Sequence, residues 1–334
     1  MTVNAIASDM TFDELDRLPE FEAYKKFFIY SPGVKGISET QYKGVRIDEI
    51  STVVPTWNGK SIVAGLNHLL HAHRSERQVL YKIWSEDEAQ SEANKEDSVL
   101  FHFPGEAGKP FAIVCAGGAY MAVASMVEAF PIAKRLNELG YTAFVLNYRV
   151  GKQGILPEPM EDLAQAIKFI VSQADAFEVA SNDYAVAGFS AGGHLAATLG
   201  TTNDGYKRFG VPKPAALFLG YPLISMDALF ENDSKALISA IMAGRDYTCE
   251  RLDAFSIHKN MDENYPPTYI WMCKDDETIP FSNSVILADR LHELGIPHVH
   301  KLVERGGHGI GIGDGTEAEG WLDEAVQFWS RRFA

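Results

Sequence analysis

The pentapeptide Gly188-Phe189-Ser190-Ala191-Gly192 sets a serine between two glycines. It follows the apolar run Tyr184–Ala187 and opens the helix-forming stretch Ala191–Leu199. A serine on a sharp strand-to-helix turn is held in a strained backbone conformation, with neighbouring chain close by. Glycines at 188 and 192 remove side chains that would clash there. The same turn aims the helix N-terminus, with the Ala191 amide, at any anion forming on a substrate. The plain alternative is a glycine-rich loop with an incidental serine, and the strand and helix on either side weigh against it.

A serine alone is a weak nucleophile and needs a base oriented by a third group. In this strand–turn–helix setting the partners follow in the order serine, acid, histidine. The apolar run Thr268–Cys273 leads into Lys274-Asp275-Asp276-Glu277-Thr278-Ile279-Pro280, an acidic cluster just past a strand's carboxyl end. By itself that cluster reads as a solvated loop. The base candidate is His308, flanked by glycines after the last strand; the glycines let the backbone loop over the sheet edge while the imidazole reaches the serine. Gly117-Gly118-Ala119 follows another apolar strand and can turn amides toward the oxygen of a tetrahedral intermediate. No Lys-Ser/Thr pair follows it, which excludes a phosphate loop.

Other candidates carry less chemistry. His194 lies one turn into the helix after Ser190, points away from the turn's tip, and reads as structural. His298 and His300 share a strand face and with His308 suggest a metal set, but neither a Cys partner nor an HExxH pattern supports one. His71 and His73, two apart on a helix, do not face each other. Gly309-Ile310-Gly311-Ile312-Gly313 fails the dinucleotide spacing. Arg149 and Asp162 read as an ion pair bracing loops.

The elements that must position these groups follow from the rest of the 334 residues. Hydrophobic residues make up 46% and charged residues 22%, an ordinary globular balance. The net charge of −15 argues against nucleic-acid or anionic-membrane partners. Three scattered cysteines give no disulfide framework, and the acidic start lacks a signal-peptide pattern, so the expected location is cytoplasmic. The charge-free run 110–127 has the length of a membrane span, but its Gly-Gly pair fits a strand, loop and helix start better. From Val79 short apolar strands alternate with amphipathic helices, as in a mostly parallel sheet covered on both faces. The expected strands are Val79–Ile83, Val99–Phe103, Phe111–Ala116, Ala143–Tyr148, Tyr184–Gly188, Ala215–Leu219, Thr268–Cys273 and His298–Val303. The expected helices are Ala122–Leu139, Glu161–Ala174, Ala191–Leu199, Ser282–Leu294 and Glu317–Phe333. Residues 1–75 read as a largely helical N-terminal extension, with helices over 12–30 (capped by Thr11, interrupted at Pro19) and Lys60–Ser75. Residues 76–334 read as the catalytic domain, with a lid-like insertion or substrate wall at 222–266.

The combination of Ala116-Gly117-Gly118-Ala119-Tyr120, Leu146-Asn147-Tyr148-Arg149, Gly188–His194, Asp276–Pro280 and Gly307-His308-Gly309 resembles the esterase and lipase branch of the α/β-hydrolase superfamily. Within it the chain is similar to bacterial acetyl-xylan-esterase-like, short-chain carbohydrate esterases. The resemblance spans about residues 76–334. It implies an α/β-hydrolase fold with an eight-stranded sheet, Ser190 as nucleophile, His308 as base and Asp276, four residues before Pro280, as acid. It further implies an oxyanion hole from the Gly118, Ala119 and Ala191 amides and no cofactor. Ala119 stands where the family usually carries a third glycine. The expected activity is hydrolysis of small-molecule carboxylic esters with short acyl chains, including O-acetylated carbohydrates. The charged residues that interrupt 222–266 also suit a small polar-rimmed pocket. A prolyl-oligopeptidase-like serine peptidase and a non-catalytic binding module are the rival readings, and homo-oligomer formation stays open.

Overall fold

Strands rich in Val, Ile, Phe and Ala with no polar face must be covered on both sides, and the structure, a computed structural model describing residues 4–75, 77–90, 92, 94–231 and 233–331, covers them. Eight strands run β1 (Leu80–Lys82), β2 (Val99–Phe103), β3 (Phe111–Cys115), β4 (Thr142–Asn147), β5 (Tyr184–Phe189), β6 (Ala216–Gly220), β7 (Thr268–Cys273) and β8 (His298–Val303). They form one sheet in the order β1-β2-β4-β3-β5-β6-β7-β8. β1 and β2 are antiparallel to their neighbours, and β4 to β8 pair in parallel. Strands β3 to β7 are buried along their whole length, whereas the edge strand β8 is only half-buried. This is the α/β-hydrolase fold expected from the sequence.

The chain leaves β3 for β4 on one side and returns to β5 on the other. The strand order therefore reverses at β3, and the crevice beyond the carboxyl ends of β3 and β5 is where such sheets bind ligands. The register pairs Cys115 with Gly188, so the Gly117-Gly118 loop and the Ser190 turn leave the sheet side by side.

Several helix boundaries differ from expectation for local reasons. The stretch 122–139 divides into Ser125–Glu128 and Phe130–Glu138, because Pro131 has no amide to continue the ladder. The last helix starts at Trp321, after Gly320 takes a left-handed conformation, and ends at Ser330; residues 332–333 of the expected helix lie outside the described residues. The stretch 12–30 is not one helix. Thr11 caps a single short helix, Phe12–Asp16, with Glu14 closing a capping box. Pro19–Phe21 and Lys25–Phe27 then form 3₁₀ turns. Gly59–Arg74 is the one long helix of this region, capped by the Asn58 side chain.

Residues 4–75 have no core of their own. Phe28 packs edge-on to Phe21 and Phe130, at ring separations of 5.1 and 6.3 Å, and Phe27 meets Phe101 at 5.8 Å. The long helix lies so close to Phe130–Glu138 that a Cβ on Gly65 would sit 2.8 Å from the Pro131 nitrogen. Tyr30 and Val123 exchange backbone hydrogen bonds of 2.9 and 2.8 Å. The aromatic spacing that suggested a helix over 12–30 thus reflects side chains inserted from successive turns into the sheet's core. The 222–266 insertion carries helices Asp233–Ala243 and Cys249–Asp253, and the Asn283 side chain anchors its start by accepting from the Ile224 and Ser225 amides.

If the extension is integral to the fold, Phe28→Ala destabilises the whole protein by about 3–5 kcal/mol in a single cooperative transition. Urea unfolding checks this. An unchanged midpoint, or a separate early transition with the main one unmoved, would mark the extension as an appendage.

Candidate active site

Ser190 begins the helix Ser190–Gly200 at the tip of β5 with φ of 52°, a left-handed conformation costly for a residue with a Cβ. The flanking glycines are dictated by sterics. A Cβ on Gly188 would lie 2.2 Å from the Gly192 carbonyl oxygen, and one on Gly192 would lie 2.2 Å from that of Cys115. These obstacles are backbone atoms, which cannot swing aside.

The structure brings together the three groups expected to act as a triad. The Ser190 hydroxyl lies 2.9 Å from His308 Nε2, and His308 Nδ1 lies 2.7 Å from Asp276 Oδ2. The other Asp276 oxygen, Oδ1, accepts from the Thr278 and Ile279 amides at 2.8 Å each, so this buried carboxylate is fixed in orientation. A carboxylate accepting from Nδ1–H leaves Nε2 free to accept the serine proton. Asp275 does different work. Its oxygens accept from the Gly307 and Gly306 amides at 2.8 and 3.2 Å, pinning the loop that carries His308.

The Gly118-Ala119-Tyr120 loop faces Ser190 with three successive positive φ angles of 137°, 55° and 57°. Gly118 has to be glycine, since a Cβ there would lie 2.2 Å from the Ala122 carbonyl oxygen. Ala119 takes the left-handed conformation despite its methyl group. Ala191, in the first turn of its helix, has no intrahelical acceptor for its amide. Gly118 and Ala119 line the same cleft as Ser190.

His194 braces this loop. Its Nε2 donates to the Phe255 carbonyl at 2.9 Å, leaving Nδ1 to accept from the Tyr120 hydroxyl at 2.8 Å. Burial pushes its pKa down from 6.5 to about 4, so it is a neutral, structural imidazole, as the sequence suggested. His298 and His300 turn elsewhere, to the Ile296 carbonyl and the Ser284 hydroxyl, and do not converge with His308. Arg149 and Asp162 do pair, with Arg149 Nε 3.0 Å from Asp162 Oδ2.

Sequence reasoning missed Glu128 and Tyr221. Glu128 is 4% exposed; Oε2 accepts from the Gly117 amide at 2.5 Å and Oε1 from the Tyr221 hydroxyl at 2.8 Å. Tyr221 in turn accepts from the Gly311 amide at 3.0 Å, and its ring meets the His308 ring edge-on at 4.9 Å. Burial raises the Glu128 pKa, against the opposing pull of the Tyr221 hydrogen bond, the His308 charge and the Gly117 amide. The one signal in the sequence is that Glu128 is the charge ending the 110–127 run, just before a proline-started helix.

A cleft of about 840 Å³ opens over Ser190 and His308. Val54–Trp57 from the extension, Met121 and Glu277 also line it. The 222–266 insertion, expected as the substrate wall, contributes none of the described residues lining this cleft. No helix among the described residues is long and apolar enough to cross a membrane.

The sheet order and the strained serine turn define an α/β-hydrolase fold. The chain belongs to the BD-FAE family, whose model matches residues 101–291. It is 30% identical over 218 residues to an endo-1,4-beta-xylanase B of Butyrivibrio fibrisolvens, covering 63% of this chain and 34% of that protein. It is 27% identical over 200 residues to an acetylxylan esterase of Xylanibacter ruminicola, covering 59% of this chain and 40% of that one. The chain thus spans well under half the length of these curated relatives. Among solved structures, an acetyl ester-xyloside bifunctional hydrolase from Caldicellulosiruptor lactoaceticus superposes with a TM-score of 0.65 at 26% identity, covering 77% of this chain and 97% of that one.

The His194 brace makes stability pH-dependent. Between pH 6.5 and about 4 the unfolded chain takes up a proton that folded His194 does not, so stability is lost as pH falls through that window. His194→Gln removes this contribution, and its urea midpoint should fall less steeply over that range than the wild type's. Parallel slopes would mean that His194 titrates normally in the folded protein.

Proposed function

We propose that the protein is a serine carboxylic ester hydrolase acting on short-chain esters, O-acetylated carbohydrates among them. The observation that carries this reading is the continuous Ser190–His308–Asp276 hydrogen-bond chain at a strained turn, facing the Gly118–Ala119 loop. Ser190 Oγ attacks the acyl carbon while His308 Nε2 takes its proton. Asp276 holds the imidazole and stabilises its charge. The Gly118, Ala119 and Ala191 amides receive the oxyanion. His308 then returns the proton to the departing alcohol oxygen, leaving an acyl group on Ser190. A water activated by the same imidazole releases the acid. Every proton in this cycle passes through groups already in place, so the residues need no cofactor for it.

The substrate class draws on the relatives: the acetylxylan esterase and the acetyl ester-xyloside hydrolase are named for acetyl esters.

Ser190→Ala should cut hydrolysis of acetyl esters by about 10⁴-fold or more while melting like the wild type. Retained activity within about tenfold would end the serine-hydrolase reading. Asp276→Asn should cost about 10³-fold or more, whereas Asp275→Asn, which keeps an amide oxygen for the His308 loop, should stay within about tenfold. The reverse order would assign the orienting role to Asp275.

An acyl series from acetate to decanoate tests the acyl site. Each methylene buried in a long groove would gain about 0.8 kcal/mol, so efficiency would climb with chain length. A short pocket gives a kcat/KM maximum between acetyl and butyryl. A maximum at octanoate or beyond would reject the short-acyl assignment.

A further inference from the structure

We propose that the N-terminal extension supplies the leaving-group subsite, and that Val54–Trp57 with the adjoining cavity receives a neutral sugar. The inference rests on the esterase reading and goes beyond it by assigning the alcohol side of the ester to particular residues.

Geometry selects the side. In ester cleavage His308 Nε2 must hand its proton to the departing oxygen, so the alcohol has to lie within hydrogen-bond reach of that nitrogen. The carbonyl oxygen is directed to the opposite side, toward Gly118 and Ala119. The space beside His308 is bounded by its own Gly306–Gly309 loop and by Val54–Trp57 packed against it. A Cβ on Gly307 would lie 2.9 Å from Thr56 Cγ2, and one on Gly309 would lie 3.6 Å from Trp57 Nε1. The extension is therefore the surface a leaving group meets.

That surface is preorganised. The Trp57 amide closes a turn on the Val54 carbonyl at 3.0 Å, and the Trp57 ring lies on Tyr42 at 5.3 Å. Just beyond, the Asn58 side chain donates to the Asp314 carbonyl at 3.1 Å, and the Ser61 hydroxyl to the Asp314 carboxylate at 2.8 Å. The segment is tied to the core on one side and to the loop after His308 on the other.

Chemistry selects the ligand. A second cavity of about 460 Å³ shares Pro55, Thr56, Trp57 and Gly306 with the cleft and continues over Asp48, Asn58, Lys60 and Thr316. An aromatic ring beside a row of hydrogen-bonding side chains suits a pyranose, which offers C–H bonds on its face and hydroxyls at its edge. The acidic side chains lining the cleft are Glu128, Asp275 and Glu277 with no Lys or Arg beside them among the described residues, and in the adjoining cavity Asp48 and Asp314 outnumber the single cation, Lys60. An anionic sugar would meet like charge there.

The test compares deacetylation of acetylated xylotriose with that of ethyl acetate, whose leaving group is too small to reach Trp57, by acetate release in the full chain. The wild type should prefer the sugar ester. Trp57→Ala should lower the ratio of the two kcat/KM values about tenfold, mainly through KM for the sugar, and Trp57→Phe should restore most of it. An acetylated galacturonic-acid trimer should be cleaved at least about tenfold less efficiently than the xylotriose ester. An unchanged ratio, or a fall in both substrates alike, would overturn the assignment of Trp57. Equal efficiency on the anionic trimer would overturn the neutral-sugar class. Failure of the wild type on both esters would instead strike the esterase reading; quenching of Trp57 fluorescence by unacetylated xylotriose, scored against Trp57→Phe, would still decide the subsite.

Discussion

The site depends on one close approach, between the first turn of the helix Ser190–Gly200 and the end of β3. Gly192 is so near that a methyl group there would meet the Cys115 and Ala116 carbonyl oxygens at 2.2 and 2.4 Å. That proximity follows from the parallel pairing of Cys115 with Gly188 at the point where the strand order reverses. It makes the serine turn and the Gly117–Tyr120 loop one unit, because neither can shift without driving backbone into backbone. The positive φ of Ser190 costs on the order of 1–2 kcal/mol and persists because the buried strands on both sides over-determine it.

Glu128 extends the same logic to His308. A carboxylate buried this deeply is tolerated only when its oxygens are satisfied. Here one oxygen holds the amide of Gly117, and the other holds a tyrosine that both contacts the His308 ring and accepts from Gly311, three residues past it. A single side chain thus connects the loop facing the serine to the loop carrying the histidine. Asp275 secures the near side of that second loop through Gly306 and Gly307. The distance between Ser190 and His308 is set by these ties as much as by the Ser190–His308–Asp276 hydrogen bonds themselves.

The sheet was legible in the sequence because full burial leaves an unambiguous mark. Val99–Phe103, Thr268–Cys273 and His298–Val303 carry the expected boundaries, and the other strands differ by one residue at one or both ends. Ser190 and His308 were legible because glycines stand on both sides of each, and Asp276 only through the family resemblance, which sets that acid four residues before the proline. Residues 12–30 misled because inward-facing aromatics recur at helix-like spacing when successive turns each insert one. Glu128 stayed hidden because its partners are a backbone amide, a tyrosine 93 positions away and a loop beyond that. No local pattern encodes such a set. The 222–266 stretch was read as a lid or wall from its length and its interrupting charges, and neither says which direction a segment folds.

The oxyanion-loop candidate shows why segments flanking the matched core matter. Gly118 to Tyr120 run through three positive φ angles with no regular structure of their own to hold them. The loop is clamped from outside. Tyr120 is held by His194, which is held in turn by the Phe255 carbonyl, so the insertion reaches the site through this brace without lining the cleft. On the other flank Val123 pairs backbone to backbone with Tyr30, and the Met126 amide donates to the Phe28 carbonyl, so the extension grips the loop's far end. The family match at 101–291 includes neither Tyr30 nor His308. The extension fills both roles, holding one side of the loop that faces Ser190 and walling the space beside His308. Insertion or truncation before Gly59 should therefore be felt at the serine through packing, with the sheet and Ser190, Asp276 and His308 themselves unchanged.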